Sequence, residues 1–339
     1  MNEIIRTGLD IAKNVFEVHA VNAQEQVVVR RSLRRNQVLA WFAKLPPCLI
    51  GMEACGTANH WARELTALGH TVRLMPPAYV KAYVRRNKND GIDAAANCEA
   101  VSRPSMRFVP VKTAEQQSEA LTHKVRETLV KQRTMNQNSL RSLMAEFGIV
   151  VPQGPQHISK LLDILADPED GRVPDAARAA LNGMAEMLAA LERQIGVLDK
   201  TIKAQVRANP VARRLITIPG FGPVLSGAFA AIVTHPGQFN SSRDFAASLG
   251  VVPRQDGTGG KVKLGPISKR GNGYLRRLLV NGATAVLNGK NARTDPWLAK
   301  LLDSKPKKLA AVALANKMAR IAWAVMTRQE DFRPRAVAA

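Results

Sequence analysis

Within its first 110 residues the chain breaks its apolar content into short runs, around 4–9, 15–21 and 26–30, separated by turn-prone pieces. Runs this short and this close together predict an antiparallel three-stranded meander. A helical stretch follows near 35–44, and Cys48-Leu49-Ile50-Gly51-Met52-Glu53 reads as a fourth strand. Trp61 to Leu68 then reads as a helix and Thr71 to Met75 as a strand, and Pro76-Pro77 breaks the chain before a further helix. Four acidic residues occupy chosen points of this frame. Asp10 follows the first apolar run and Glu53 ends the fourth strand. Asp90 and Asp93 lie three apart where a helix should begin, after Arg85-Arg86-Asn87-Lys88. A carboxylate at the end of a buried strand is held rigidly at the sheet edge, and helix positions i and i+3 share a face. Four such groups suit two Mg²⁺ ions, which take oxygen ligands in fixed geometry, and Mn²⁺ could substitute.

The chain's charge points to the substrate. Formal net charge is +22, and from Arg207 onward 22 Lys+Arg face 6 Asp+Glu, which supplies +16 of it. Concentrated positive charge gathers polyanions and releases counterions when phosphates are neutralised. Nucleic acid is therefore the expected partner, ahead of an anionic membrane surface. No apolar run approaches the ~20 residues of a membrane span, and no signal peptide is read at the N-terminus. A cytoplasmic protein without a membrane partner is expected. Cys48, Cys55 and Cys98 lack zinc-knuckle spacing and the six histidines are dispersed, so reduced thiols are expected and a structural zinc site is not.

Three regions and a tail emerge. Residues 1–111 are α/β, and three antiparallel strands followed by strand–helix–strand is the order of the RNase H-like fold. In that fold the first acid sits on the first strand and the second at the end of the fourth, the places of Asp10 and Glu53. Residues 112–205 change character, with Leu181, Met184, Leu188, Leu191, Ile195, Leu198 and Ile202 at alternating steps of three and four. Two long helices joined by an irregular, Pro-marked tip would make a coiled-coil arm, a dimerisation seam or a buried intramolecular pair. Residues 206–330 read as mostly helical and basic, and 331–339 as a tail. Leu215 to Val224 reads as a helix-hairpin-helix turn or a plain helix–helix turn. In the former, Gly220 and Gly222 would let the backbone approach a phosphate. A loop from Pro253 to Lys261 precedes a basic helix that includes Tyr274 to Leu279.

The wording GLDIAK at 8–13, MEACG at 52–56, N-D-x-x-D at 89–93, IPGFGP at 218–223 and GGK…LGPISKRGN…LRRLL at 260–279 resembles the insertion-sequence transposases of the one-ten family, eleven-eleven group. The match runs in order over nearly the whole chain. The resemblance implies a RuvC-like N-terminal domain whose DEDD tetrad is Asp10, Glu53, Asp90 and Asp93, a coiled coil, and a C-terminal transposase domain with a hydroxyl nucleophile. It further implies a recombinase guided by an element-encoded non-coding RNA (bridge RNA or seekRNA), acting on donor and target DNA as a dimer or tetramer.

One departure from the family falls at the nucleophile. Relatives carry Ser-Ser-Gly-Gly or Ser-Thr-Gly-Gly before the lysine, whereas this chain has Gly257-Thr258-Gly259-Gly260-Lys261. Thr258 is the expected nucleophile and Ser268 the alternative, although Ser268 also suits capping the next helix or binding a phosphate. Activation would require this loop to reach the acidic site, within one chain or across a dimer. Lys261, Lys263, Lys269, Arg270, Arg276 and Arg277, with Arg85, Arg86 and Lys88, are the expected phosphate contacts. Individually the acids have plainer readings: Asp90 as a helix cap, Asp93 as a first-turn acid, Glu53 as a partner of Lys13 or Arg63. Two rival functions stay open, a structure-specific endonuclease using metal-activated water and a non-catalytic nucleic-acid-binding protein.

Overall fold

The computed structural model describes residues 3–84 and 89–334. The basic positions Arg85, Arg86 and Lys88 lie outside the described residues. The chain divides into two compact units, Met1–Gln117 and Ser118–Ala339.

In the first unit, β1 (Arg6–Ile11), β2 (Val15–Val21) and β3 (Val27–Arg34) pair antiparallel as the expected meander. There follow α1 (Val38–Phe42), β4 (Leu49–Glu53), α2 (Ala58–Ala67), β5 (Thr71–Met75), α3 (Pro77–Val80) and α4 (Asp90–Ala100). The helix expected over 35–44 contracts to a 3-10 turn and the short α1, of which only Val38 and Phe42 are buried. The sheet runs β3-β2-β1-β4-β5, with β4 parallel to both β1 and β5.

Because strand side chains alternate between faces, each face has its own partners. Leu9, Phe16, Val18, Ile50 and Met52 share one core with Phe42, Trp61 and Leu65. The other face receives α4 against nearly bare backbone, because Gly8 and Gly51 are register partners across β1 and β4. A Cβ on Gly8 would overlap the Ala94 carbonyl oxygen and the Cys98 amide. One on Gly51 would lie 2.6 Å from Val101 Cβ and 2.7 Å from the Asn97 carbonyl oxygen. Fully buried Asn97 fastens the helix there, its Nδ2 donating to the Leu9 carbonyl at 3.2 Å.

The second unit holds two long helices, α5 (Ala114–Ala145) and α7 (Asp175–Ala208), with α6 (Ile158–Ala166) between them in sequence. Arg126–Asp199 at 2.5 Å and Arg133–Glu192 at 3.2 Å run in opposite order along the two long helices, so they are antiparallel. Leu181, Leu188, Leu191, Ile195 and Ile202 are buried. The segment expected to be an irregular tip contains α6, whose Ile158, Leu161 and Leu165 join Leu140, Met144, Leu181 and Leu188 in one cluster.

Next come α8 (Pro210–Leu215), α9 (Pro223–Ile232), α10 (Ser242–Ser248), β6 (Pro253–Thr258), β7 (Lys261–Ile267), α11 (Gly273–Asn288), α12 (Pro296–Ser304) and α13 (Lys307–Arg328). Phe221, Phe229, Phe245, Leu275, Leu279, Leu314 and Met318 centre their core. Where the sequence reading saw a loop, β6 and β7 form an antiparallel ribbon. One expectation needs amending: α13 is long and apolar enough to cross a membrane, with a mean hydropathy of 1.3 over its most apolar stretch. Half of that stretch is buried inside the protein, and Ala310, Ala315, Ala319 and Ala322 belong to the core.

The glycine seat under α4 is testable. Gly8→Ala and Gly51→Ala should each lower stability by about 1–3 kcal/mol, as forced overpacking does. Gly8→Ala should be the worse, because it meets backbone that cannot rotate away. Chemical denaturation with unchanged midpoints for both variants would contradict this seating.

Candidate active site

The register of the sheet opens a gap at the carboxyl ends of two neighbouring strands. β1 and β4 pair in parallel from Arg6↔Leu49 to Leu9↔Met52 and then stop, so Asp10 and Glu53 lie just beyond the last paired position. Parallel strands present such a crevice at their carboxyl ends as a ligand position. Seated on Gly8 and Gly51, α4 brings its first turn to the same place. Asn89 caps it, Oδ1 accepting the Ile92 amide at 2.9 Å. Asp90 is therefore not the cap; it is the first helical residue, with Asp93 on the same face.

Carboxylate oxygens of Asp10, Asp90 and Asp93 lie within 4.8 Å of one another. Glu53 is not in that group of three, yet its charge acts on Asp10. The Asp10 carboxyl is pushed up to about 6, first by burial and then by the charges of Asp93, Asp90 and Glu53, against a smaller pull from the Ile11 amide. Mutual repulsion among oxygen donors is what a hard divalent cation relieves, so the donor set fits such an ion. Arg63, a suggested partner for Glu53, donates instead to the Lys112 carbonyl at 2.8 Å and to Gln117 at 3.0 Å. Trp61 is buried edge-on against Phe16.

The remaining candidates belong to the second unit. Thr258 pairs with Lys261 across Gly259 and Gly260, whose φ values of 58° and 79° give the two-residue turn that matches strand twist. Thr258, Lys261 and Lys263 are exposed. Ser268 differs: its Oγ is buried without a hydrogen-bond partner, and its amide donates to the Val252 carbonyl at 2.8 Å. It does not cap α11; Asn272 does, accepting the Tyr274 and Leu275 amides. Lys269, in the left-handed region at φ 55°, and Arg270 are exposed in the turn before that cap.

Two of the expected phosphate contacts are engaged within the fold. Arg276 donates to the Leu249 and Arg270 carbonyls at 3.1 and 2.8 Å. Arg277 donates to Glu127 at 2.8 Å, where Lys131 and Lys124 also converge. Burial alone would raise the Glu127 carboxyl, but hydrogen bonds from Arg277 and Lys131 hold it down at about 2. Nearby, His123 Nδ1 lies 3.3 Å from the Tyr274 hydroxyl, and burial pushes the imidazole down to about 4. Gly220 also packs inward: a Cβ there would lie 2.7 Å from Met318 and 2.9 Å from Val286. Gly222 faces open space as the cap residue of α9. Sequence reasoning missed Asn89, although an Asn three residues before Ile92 is a recognisable cap signal. It also missed Asn97 and Glu127, whose partners Leu9 and Arg277 lie 88 and 150 residues away, although Lys124 and Lys131 flank Glu127 at helical spacing.

Comparison with known proteins gives this geometry a setting. Residues 7–149, which hold all four acids, match a family described as transposase, the DEDD group of IS110. Residues 212–297 match the transposase IS116/IS110/IS902 family. A probable family 20 transposase of Pseudomonas aeruginosa is 48% identical over 97% of this chain and 98% of its own length. The transposase for insertion sequence element IS1111A of Coxiella burnetii is 39% identical over 98% of this chain and 92% of its own. That for IS1328 of Yersinia enterocolitica is 38% identical over 98% and 99%. A transposase, the class of protein that recombines DNA, is what these matches define. The chain belongs to the IS110 family of insertion-sequence transposases.

The charge crowding at Asp10 has a measurable sign. A carboxyl raised above its ordinary value makes the native state hold its proton more tightly, so this contribution to stability is full below about pH 4 and lost as pH rises through about 6. In divalent-free buffer, Asp10→Asn should therefore gain thermal stability over wild type as pH rises from 4 to 7. A difference that stays constant across that range would contradict the repulsion.

Proposed function

We propose that Asp10, Glu53, Asp90 and Asp93 are the DEDD tetrad of an RNase H-like, RuvC-like nuclease centre that cuts and exchanges DNA strands to move an insertion element. The observation that carries the reading is the approach of three carboxylates within 4.8 Å, with a fourth, Glu53, whose charge acts on Asp10. These side chains would hold two Mg²⁺ ions, with Mn²⁺ able to replace them. Bound there, the ions would polarise the scissile phosphate and stabilise the leaving oxygen. Asn97 keeps α4 at the distance from β1 that lets the acids meet, and Asn89 caps the helix turn that carries Asp90 and Asp93.

Thr258 supplies the nucleophile. Its Oγ–phosphorus bond forms as the phosphorus–oxygen bond to the leaving strand breaks. The hydroxyl proton passes to a carboxylate base, and the departing oxygen is protonated from water. Exposure at the tip of a glycine-turned ribbon gives this hydroxyl the access that the buried Ser268 Oγ lacks. Lys261, Lys263, Lys269 and Arg270 grip phosphates around the cut, and Gly222 offers an open helix start. Sequence choice comes from pairing between an element-encoded guide RNA and the donor and target DNA, while the protein holds backbone and shape. The antiparallel α5–α7 pair is the coiled-coil arm of a homodimer that doubles to a tetramer when DNA ends meet. A turn like that between α8 and α9 serves as the helix-hairpin-helix element.

Two measurements test this. Asp90→Ala should keep DNA and RNA binding and lose Mg²⁺-dependent strand cutting with cognate RNA and both DNA ends; retained cutting would remove the tetrad from the mechanism. Wild-type protein should stay attached to DNA after denaturation, and Thr258→Ala should not. Cutting without any adduct would mean that water is the nucleophile, and an adduct lost only in Ser268→Ala would move the role there.

A further inference from the structure

Where α5, α7 and α9 meet, the second unit forms a cavity of about 10 Å³, room for one water or one ion. Its polar lining comes from two facing helix turns: Glu119 and His123 on α5, and Gln205 and Asn209 at the end of α7. Each pair is spaced i, i+4, which puts both members on one helix face. The apolar wall is made of small residues, Gly227 and Ala230 of α9 among them. A Cβ at Gly227 would lie 3.1 Å from His123 Nε2, so the missing side chain is what leaves that nitrogen room.

The polar groups there are uncommitted. His123 is only 2% exposed, and its Nδ1 meets the Tyr274 hydroxyl at 3.3 Å. With the proton on Nδ1 donated to that hydroxyl, Nε2 keeps its lone pair for the cavity. Among the described residues, no hydrogen bond or ion pair occupies Nε2, the Glu119 carboxylate or the Gln205 amide. Asn209 differs, because its Oδ1 accepts the Val211 and Ala212 amides at 2.9 and 3.2 Å. Arg126, the cation that acts on His123, is paired with Asp199 and so does not cancel the Glu119 charge.

We propose that Glu119, His123 and Gln205 bind a single divalent transition-metal ion, Zn²⁺ fitting best, which fastens the start of α5 to the end of α7. A carboxylate oxygen, an imidazole nitrogen and an amide oxygen, completed by water, make a donor set of that class, whereas Mg²⁺ and Ca²⁺ take oxygen alone. A ligating imidazole generally donates its other N–H to a neighbour, the part Tyr274 plays. The cysteine and histidine spacings that argued against zinc in the sequence could not register this site, because Gln205 reaches the other two ligands only through the fold. The site is separate from the four acids and does not rest on the nuclease reading. The competing occupant is a single buried water held by the same groups.

The test uses the full chain carrying Asp90→Ala, to weaken the acidic site, with ZnCl₂ as the probe in chelator-treated buffer. Calorimetric titration should find an equivalent of Zn²⁺ that Glu119→Gln removes. The thermal midpoint should climb with free Zn²⁺ in the parent and not in that variant, as ligation of the native state requires. Glu119 is only partly buried, so this substitution should leave the metal-free midpoint where it was. Tyr274→Phe should weaken the same equivalent by about 10–100-fold, as loss of a ligand-orienting partner does. Zn²⁺ binding that is absent, or undiminished by Glu119→Gln, would overturn the proposal and leave the cavity to water. Stabilisation by MgCl₂ as strong as by ZnCl₂, and equally lost in Glu119→Gln, would also overturn it, because His123 would then not be a ligand.

Discussion

The candidate site depends on one contact: a helix laid against strand backbone with no side chain between them. Gly8 and Gly51 remove the Cβ atoms that would hold α4 away from the sheet, and the buried Asn97 amide joins helix to strand at the Leu9 carbonyl. Asp93 is one turn before Asn97 on α4, and Asp10 follows Leu9 on β1. The fastening point and the acids are thus separated by a turn of helix on one side and a single peptide on the other. Any slack in the seat would appear directly as distance between carboxylates. Rigid secondary structure is where such geometry has to be built, because metal ligation tolerates little positional error.

Burial beside like charges makes this arrangement costly without a counterion. Asp10 responds by holding its proton up to about pH 6, a state poorly suited to ligation at lower pH. Among the described residues, Arg63 is used elsewhere and Arg35 is spent on the Lys13 carbonyl and the faces of Phe16 and Trp61. Glu127 in the second unit shows the contrasting solution. There three cations surround one carboxylate, which ionises readily and fixes α5 to α11. Glu127 is ionised by three neighbouring cations, whereas Asp10 is held protonated by burial and like-charged neighbours; that difference separates a structural acid from a candidate catalytic one.

Much of the first unit was legible because its strands are short and their apolar runs end on acids. Asp10 and Glu53 could be placed from pattern alone, and the i, i+3 spacing of Asp90 and Asp93 put them on one helix face. Asn97 was not legible, since a polar residue in an alanine-rich helix has the same local pattern whether it faces solvent or a strand. The β6–β7 ribbon escaped because its strand residues are exposed or only partly buried, leaving no apolar alternation to find. Its signal was the Gly-Gly pair, which also suits a loop. Arg276 and Arg277 look like neighbouring surface cations in sequence, and only tertiary packing shows what they serve.

That last difference changes how the chain's charge should be weighed. The +16 carried from Arg207 onward is not all offered outward: Arg277 neutralises Glu127, Arg293 meets Asp303 at 3.0 Å, and Arg276 is bound to two carbonyls. Cations left open around the candidate nucleophile are those of the ribbon and the following turn, Lys261, Lys263, Lys269 and Arg270. Thr258 stands among the first of these on an exposed ribbon that buries little surface and adds little to the core. A hydroxyl and two lysines held there by a two-glycine turn contribute almost nothing to packing. Such a placement is what the proposed contact between this hydroxyl, these lysines and a phosphate requires.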